Sequence, residues 1–299
     1  MVERYRKRAF TPVEVLAVVA LCLFLLLLVP PVNYRMRGSA FRMTCGTNMS
    51  GIGKAMLIYA NDYEDEFPRA GGPGSSWAVR TPDWKARSSF EAFNRALHAP
   101  MGGQASISAS LYLLVKYEEA MPKWFVCKND EGVTEFRLAR VRGLPRDFEL
   151  IDAWDFGPEP PKHVSYAYHM VYGPDKLTNR SDAGMAILSE RNPWIASPFA
   201  KARDFARFTP DIAPFNGTTE AALRGNALAH QGDGQNVLFV DSHVEFAKRP
   251  YCGIDDDNIY TSWDGDDKVR GLPAGFGSVP ADATDSLLVN DPAVGSTDK

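Results

Sequence analysis

Two stretches of this 299-residue chain gather side chains able to do chemistry. In the first, His230-Gln231-Gly232-Asp233-Gly234 leads through an apolar run to Asp241-Ser242-His243. Imidazole, carboxylate and hydroxyl groups are the ingredients of nucleophilic catalysis. Here they lack the Gly-x-Ser-x-Gly elbow that strains and exposes a hydrolase serine. His98, His163 and His169 show no HExxH-type spacing either. The stretch reads as a hairpin, strand NVLFV, a two-residue turn Asp241-Ser242 and strand HVEF, so hydrogen bonding is expected of it rather than catalysis. In the second stretch, 253–267, Asp255, Asp257, Asp264 and Asp266 stand among further Asp and Asn residues around Gly265. Hard oxygen donors in a short glycine-containing loop suit calcium, so this loop is a candidate calcium site. A solvated acidic loop is the plainer reading.

The four cysteines place Cys22 in an apolar run and Cys45, Cys127 and Cys252 downstream, which permits one disulfide among the last three. Cys45 lies on the apolar face of a helical pattern, which favours Cys45–Cys127 over Cys127–Cys252.

The elements that position these groups follow from periodicity. Cys45, Met49, Ile52, Met56, Tyr59 and Tyr63 recur in steps of four and three, an apolar stripe along one face of a helix that Phe67-Pro68 ends. Short helices are expected over 88–97 and 106–119, and strands over 123–126, 132–138, 165–171 and 186–189. Residues 71–103 and 191–225 read as long loops. Charge excludes one broad class: 33 Lys+Arg against 37 Asp+Glu gives a net −4, which creates no field inviting nucleic acid. The abundance of apolar and aromatic residues excludes a disordered chain.

The N-terminus carries the most specific string. Arg4, Arg6, Lys7 and Arg8 precede Ala9-Phe10-Thr11-Pro12-Val13-Glu14, and Val15–Val29 then runs without a charge. With its flanks that run is about 23 residues, roughly 34 Å as a helix, so a single membrane span is expected. The string resembles the class III signal of type IV pilins and type II secretion pseudopilins. The resemblance implies cleavage by a prepilin peptidase between Ala9 and Phe10, N-methylation of Phe10, and Glu14 as the glutamate that pairs with a neighbouring subunit's N-terminus. Ala9 stands where Gly is usual, and Pro12 where an aliphatic residue is usual. The helical stripe, together with His230 to Asp241-Ser242, resembles a large bacterial family with a prepilin-type leader and a C-terminal "H-X9-DG" motif. One extra residue separates His230 from Asp241, and Ser242 replaces the usual Gly. The acidic loop loosely resembles the calcium loop of major pseudopilins.

From these readings the expected architecture is α+β: a long N-terminal helix, its first half membrane-spanning, packed on an antiparallel β-sheet head with long loops. Its parts would be a leader 1–9, a transmembrane half 10–33, an extramembrane half 34–68 and a head 69–299, with the motif hairpin at 230–248. The implied role is a pilin-like, non-enzymatic filament subunit. Its implied place is the inner membrane, leader in the cytoplasm and head outside, with membrane lipid, a prepilin peptidase and other pilin-like subunits as partners. The alternative is a membrane-tethered binding module that never polymerises; a tethered enzyme is the weakest reading.

Overall fold

The computed structural model describes residues 10–95 and 102–293, the side chains of 26–37 excepted. The leader, with Ala9 of the expected cleavage site, lies outside the described residues, as do His98 and the end of the helix expected over 88–97.

Helix α1 (Pro12–Asp62) opens on a reciprocal cap. The Thr11 amide donates to Glu14 Oε2 at 2.7 Å, and the Glu14 amide donates to Thr11 Oγ1 at 3.3 Å. Thr-x-x-Glu with proline at the first helical position satisfies amides that an α-helix start leaves unpaired. The chain divides into two compact units, 1–41 and 42–299, and the boundary falls within α1. In the first unit Phe10, Val13, Leu16, Leu21 and Phe24 are exposed. In the second, Cys45, Met49, Ile52, Met56 and Tyr59 are buried, as their spacing requires, while Tyr63 is left 40% exposed and stacks on Tyr59.

Three expectations are corrected here. Among the described residues no helix is long and apolar enough to cross a membrane. The transmembrane half at 10–33 and the single-pass inner-membrane location are withdrawn accordingly. The expected fold, one long half-embedded helix backing one antiparallel head sheet, is likewise replaced. The helical chain is split between two units, and among the described residues the strands form three separate sheets, one of them parallel.

The second unit is built around a five-stranded antiparallel sheet. Two two-residue strands, β1 (Ser76–Trp77) and β2 (Gln104–Ala105), pair in parallel beside it in sequence, flanking α2 (Ser89–Ala92). Helix α3 (Ile107–Tyr117) follows, capped by Ser106 Oγ accepting from the Ala109 amide. The main sheet comprises β3 (Tyr166–His169), β4 (Ala186–Glu190), β5 (Gln235–Phe239), β6 (Val244–Ala247) and β9 (Leu288–Val289), in the order β6-β5-β4-β3-β9. Between β4 and β5 lie long connections and the one-turn α4 (Thr219–Leu223). Between β6 and β9 lies a separate hairpin of β7 (Thr261–Asp264) and β8 (Asp267–Pro273).

Strand alternation, interrupted in β4 by a register shift between Ala186 and Leu188, explains why β3, β4 and β5 are buried throughout. Tyr166, Tyr168, Leu188 and Leu238 join one core cluster with α1 and α3, whereas Ala167, Ala186, Val237 and Phe239 join a second with Trp194, Phe208 and Tyr260. A sheet covered on both faces reads as continuous apolar sequence, and it is best placed to hold a polar group away from water. Helix α1 approaches β5 closely at Gly53, where a Cβ would stand 2.8 Å from Leu238 Cδ1.

Other expectations shift locally. Residues 122–125 form a 3-10 turn started by Pro122, and 132–138 pair in no strand. Proline at 122 offers no amide to a ladder, and the buried Phe125 anchors the turn instead. The acidic stretch expected as a loop contains the β7–β8 hairpin, turning at Asp264-Gly265-Asp266-Asp267.

Candidate functional site

A closed polar centre lies between α1 and the sheet of the second unit. Glu190, the last residue of β4, and His230 have fully buried side chains, with His230 Nε2 and Glu190 Oε1 2.9 Å apart. The second Glu190 oxygen accepts from the Asn236 amide at 2.6 Å, and Asn236 Nδ2 donates to Oε1 at 2.8 Å. On the other side of the ring, Asn129 Nδ2 lies 2.8 Å from His230 Nδ1. Neutral imidazole fits this arrangement: Nε2–H donates to Glu190 while Nδ1 accepts from Asn129. Beside it, Cys45 and Cys127 form a disulfide, Cα–Cα 5.4 Å, with Cys127 Sγ 3.8 Å from His230 Nε2.

The backbone is strained to build this centre. His230 and Gln231 both adopt left-handed conformations, φ 55° and 63°. Two successive non-glycine residues at positive φ cost on the order of 1–3 kcal/mol each and persist only where the surroundings dictate them. The surroundings are visible: Asn226 Nδ2 donates to Gly232 O at 2.9 Å, and the Ala227 amide donates to Gln235 Oε1 at 3.2 Å. Next in chain to Asn129 and Glu190, Asp130 and Arg191 form a second pair, Oδ2 to Nε 3.1 Å. Burial pushes the Arg191 guanidinium down and the Asp130 carboxyl up, the latter partly offset by the arginine's charge.

The other motif residues go elsewhere. Asp241, Ser242 and His243 stay at the exposed tip of the β5–β6 hairpin, where the His243 amide donates to Asp241 Oδ1 at 3.0 Å and the His243 ring stacks on Phe239. The turn is corrected from two residues to three. The Ser242 amide donates to Phe239 O, the Phe239 amide donates to His243 O, and Ser242 takes φ 69°. That is a turn whose last residue lies in the left-handed region, the position glycine favours. His230 and Asp241 therefore serve separate ends of one strand. His169 is buried in β3 and desolvation pushes its imidazole down to about 4.

The four aspartates of the candidate calcium site do not converge. Asp264 and Asp266 are exposed in the β7–β8 turn, and Asp255 faces Lys268 at 3.3 Å. Asp257 turns inward, accepting from Trp263 Nε1 at 2.7 Å and from the Ser286 amide at 2.8 Å. Among the described residues, the potential metal ligands that do converge are Cys45, Cys127, Glu190 and His230.

Sequence reasoning found Cys45, Cys127 and His230 but missed Glu190, Asn129 and Asn236. A signal for Glu190 exists: a carboxylate closing the apolar run Ala186–Ser189 sits where a buried strand leaves its sheet. Asn129 and Asn236 carried none. The hairpin at Asp264-Gly265 was legible too, since Asp-Gly between β-rich runs is a strong turn signal.

No family model, no curated protein and no solved structure matches this chain.

Proposed function

We propose that this chain is a pilin-like structural subunit of a type II secretion or type IV pilus-type filament, and that its N-terminal helix packs against the same helix of neighbouring subunits. The observation that carries this reading is the row of exposed apolar side chains in the first unit, with Phe10 82%, Leu16 71% and Phe24 60% exposed. A contiguous apolar surface of this kind needs a covering partner in water, and like helices in a filament would cover one another. The string Ala9-Phe10…Glu14 supports the same reading through its resemblance to prepilin signals. The second unit fits a passive head: its polar centre is shut away from solvent, so a substrate has no access to it.

Cys22, exposed on this helix, provides the test. In the native source, oxidation should link Cys22 of one subunit to Cys22 of the next, and cysteines introduced singly at Leu16, Val19 or Phe24 should give further dimers. The processed chain should begin at Phe10 by N-terminal mass spectrometry. Monomers at every position, or a chain beginning at Met1, would overturn the reading.

A further inference from the structure

We propose that, when the Cys45–Cys127 bond is reduced, Cys45, Cys127, Glu190 and His230 bind one zinc ion. The four side chains come from separate parts of the second unit: α1, the segment after the 3-10 turn 122–125, the end of β4, and the left-handed turn before β5. Their ligand atoms all lie within 4.8 Å of one another, and all four residues are buried. A tetrahedral zinc with sulfur at about 2.3 Å and nitrogen at about 2.0–2.1 Å sets a sulfur–nitrogen edge of about 3.6 Å. Cys127 Sγ already stands 3.8 Å from His230 Nε2. Reduction frees the two sulfurs to separate to a similar edge.

The outer shell is that of a metal site. Asn129 faces the remote ring nitrogen of His230, and the Asn236 amide and side chain hold both Glu190 oxygens. Such partners fix ring orientation and ligand basicity. Zinc needs the Nε2 lone pair, so the ring proton moves to Nδ1 and the Asn129 amide turns to accept it with its oxygen. Charge also balances. A divalent ion with two thiolates adds nothing to the net charge already buried there, so the low-dielectric interior bears no new penalty. Thiolate and imidazole donors together select zinc over calcium or magnesium.

The steps conserve electrons and protons. A dithiol reductant gives two electrons and two protons to the disulfide, becoming a disulfide itself and leaving two cysteine thiols. Zinc then displaces both thiol protons to solvent. The site is therefore exclusive: disulfide in the oxidised chain, metal in the reduced one.

Cobalt(II) is the probe. The full chain is reduced with a dithiol without oxygen, freed of reductant and titrated with cobalt, followed by titration with zinc. The proposal expects one cobalt per reduced chain, with tetrahedral d–d bands and a thiolate-to-cobalt charge-transfer band that zinc abolishes. It expects none in the oxidised chain, and full binding in Cys22→Ser/Cys252→Ser. Bound zinc should also shield Cys45 and Cys127, but not Cys22, from alkylation by iodoacetamide. If reduction loosens the second unit, zinc should restore its native circular dichroism. His230→Gln should lower cobalt affinity at least tenfold. A reduced chain that stays metal-free or unfolded with zinc present overturns the proposal. So does equal binding in both redox states, or a spectrum without the thiolate band.

Discussion

His230 Nε2 and Glu190 Oε1 meet 2.9 Å apart where neither side chain touches water. Forty residues separate them in sequence, and the meeting requires two consecutive residues in left-handed backbone. The strain is held by partners on both side chains: Glu190 holds Asn236 through both oxygens, and His230 holds Asn129. An incomplete network here would cost more than an apolar core, since each buried group left unpaired keeps its desolvation penalty.

Removing Glu190 should therefore be severe. Glu190→Ala strands the ring N–H of His230 and the Asn236 amide, and each buried donor left unpaired costs about 1–3 kcal/mol. Glu190→Gln keeps the shape and much of the bonding, and should cost about 1–2 kcal/mol. Urea unfolding of the oxidised chain measures both. Equal, small losses would mean that the network contributes little to stability.

Buried carboxyls set a pH dependence. Asp257 is pushed up from 3.8 to about 7, first by desolvation and then by the neighbouring Asp285, itself raised to about 6. Asp155 is raised to about 7 by burial, with Asp291 adding to it. Folding thus takes up protons: the contribution of these groups is complete below their unfolded pKa and is lost as pH rises through their folded values. His169 acts oppositely. Its pKa is lowered by burial to about 4, so its contribution holds above the unfolded value of 6.5 and is lost as pH falls. The two effects are separable between about pH 8 and pH 6.5, where the carboxyls dominate. The melting temperature should rise on acidification across that window, and Asp257→Asn should show a smaller rise. A variant whose melting temperature changes with pH as the wild type's does would remove Asp257 from the account.

Glu14 has two separable duties. Its carboxylate closes the cap on Thr11, and in the filament reading it also supplies charge to a neighbour's N-terminus. Glutamine can close the same cap but carries no charge. Glu14→Gln should leave the helicity of the chain unchanged while reducing Cys22–Cys22 cross-linking several-fold. Glu14→Ala should lower both. Wild-type cross-linking in the glutamine variant would reduce Glu14 to a helix cap.

How much was legible depended on the range of the interaction. The stripe Cys45, Met49, Ile52, Met56 and Tyr59 could be read because helical period alone places those residues on one face, and any core would take that face. Strands β3, β4 and β5 could be read from apolar runs. The cap Thr11-Pro12-Val13-Glu14 was equally local, yet was read only for assembly, because one carboxylate can serve a cap and a partner with the same spacing. The failure at 123–126 came from an apolar run too short to distinguish a strand from a turn pinned by Pro122.

By itself the sequence determined the buried face of α1, the apolar strands, a hairpin turn at Asp241-Ser242 though not its length, and the cysteines available to pair, because each rests on contacts between near neighbours in the chain. Only the tertiary structure decided that Cys45, Asn129, Glu190, His230 and Asn236 share one dry centre. It also decided that Asp257 turns inward while Asp264 and Asp266 stay in solvent, and that His230 and Asp241 part company at opposite ends of β5. Those outcomes depend on the order of strands in the sheet and on where the left-handed turn at His230 aims its ring. Chain distance encodes neither, because burial of a polar group is settled by whichever partners the whole fold delivers to it.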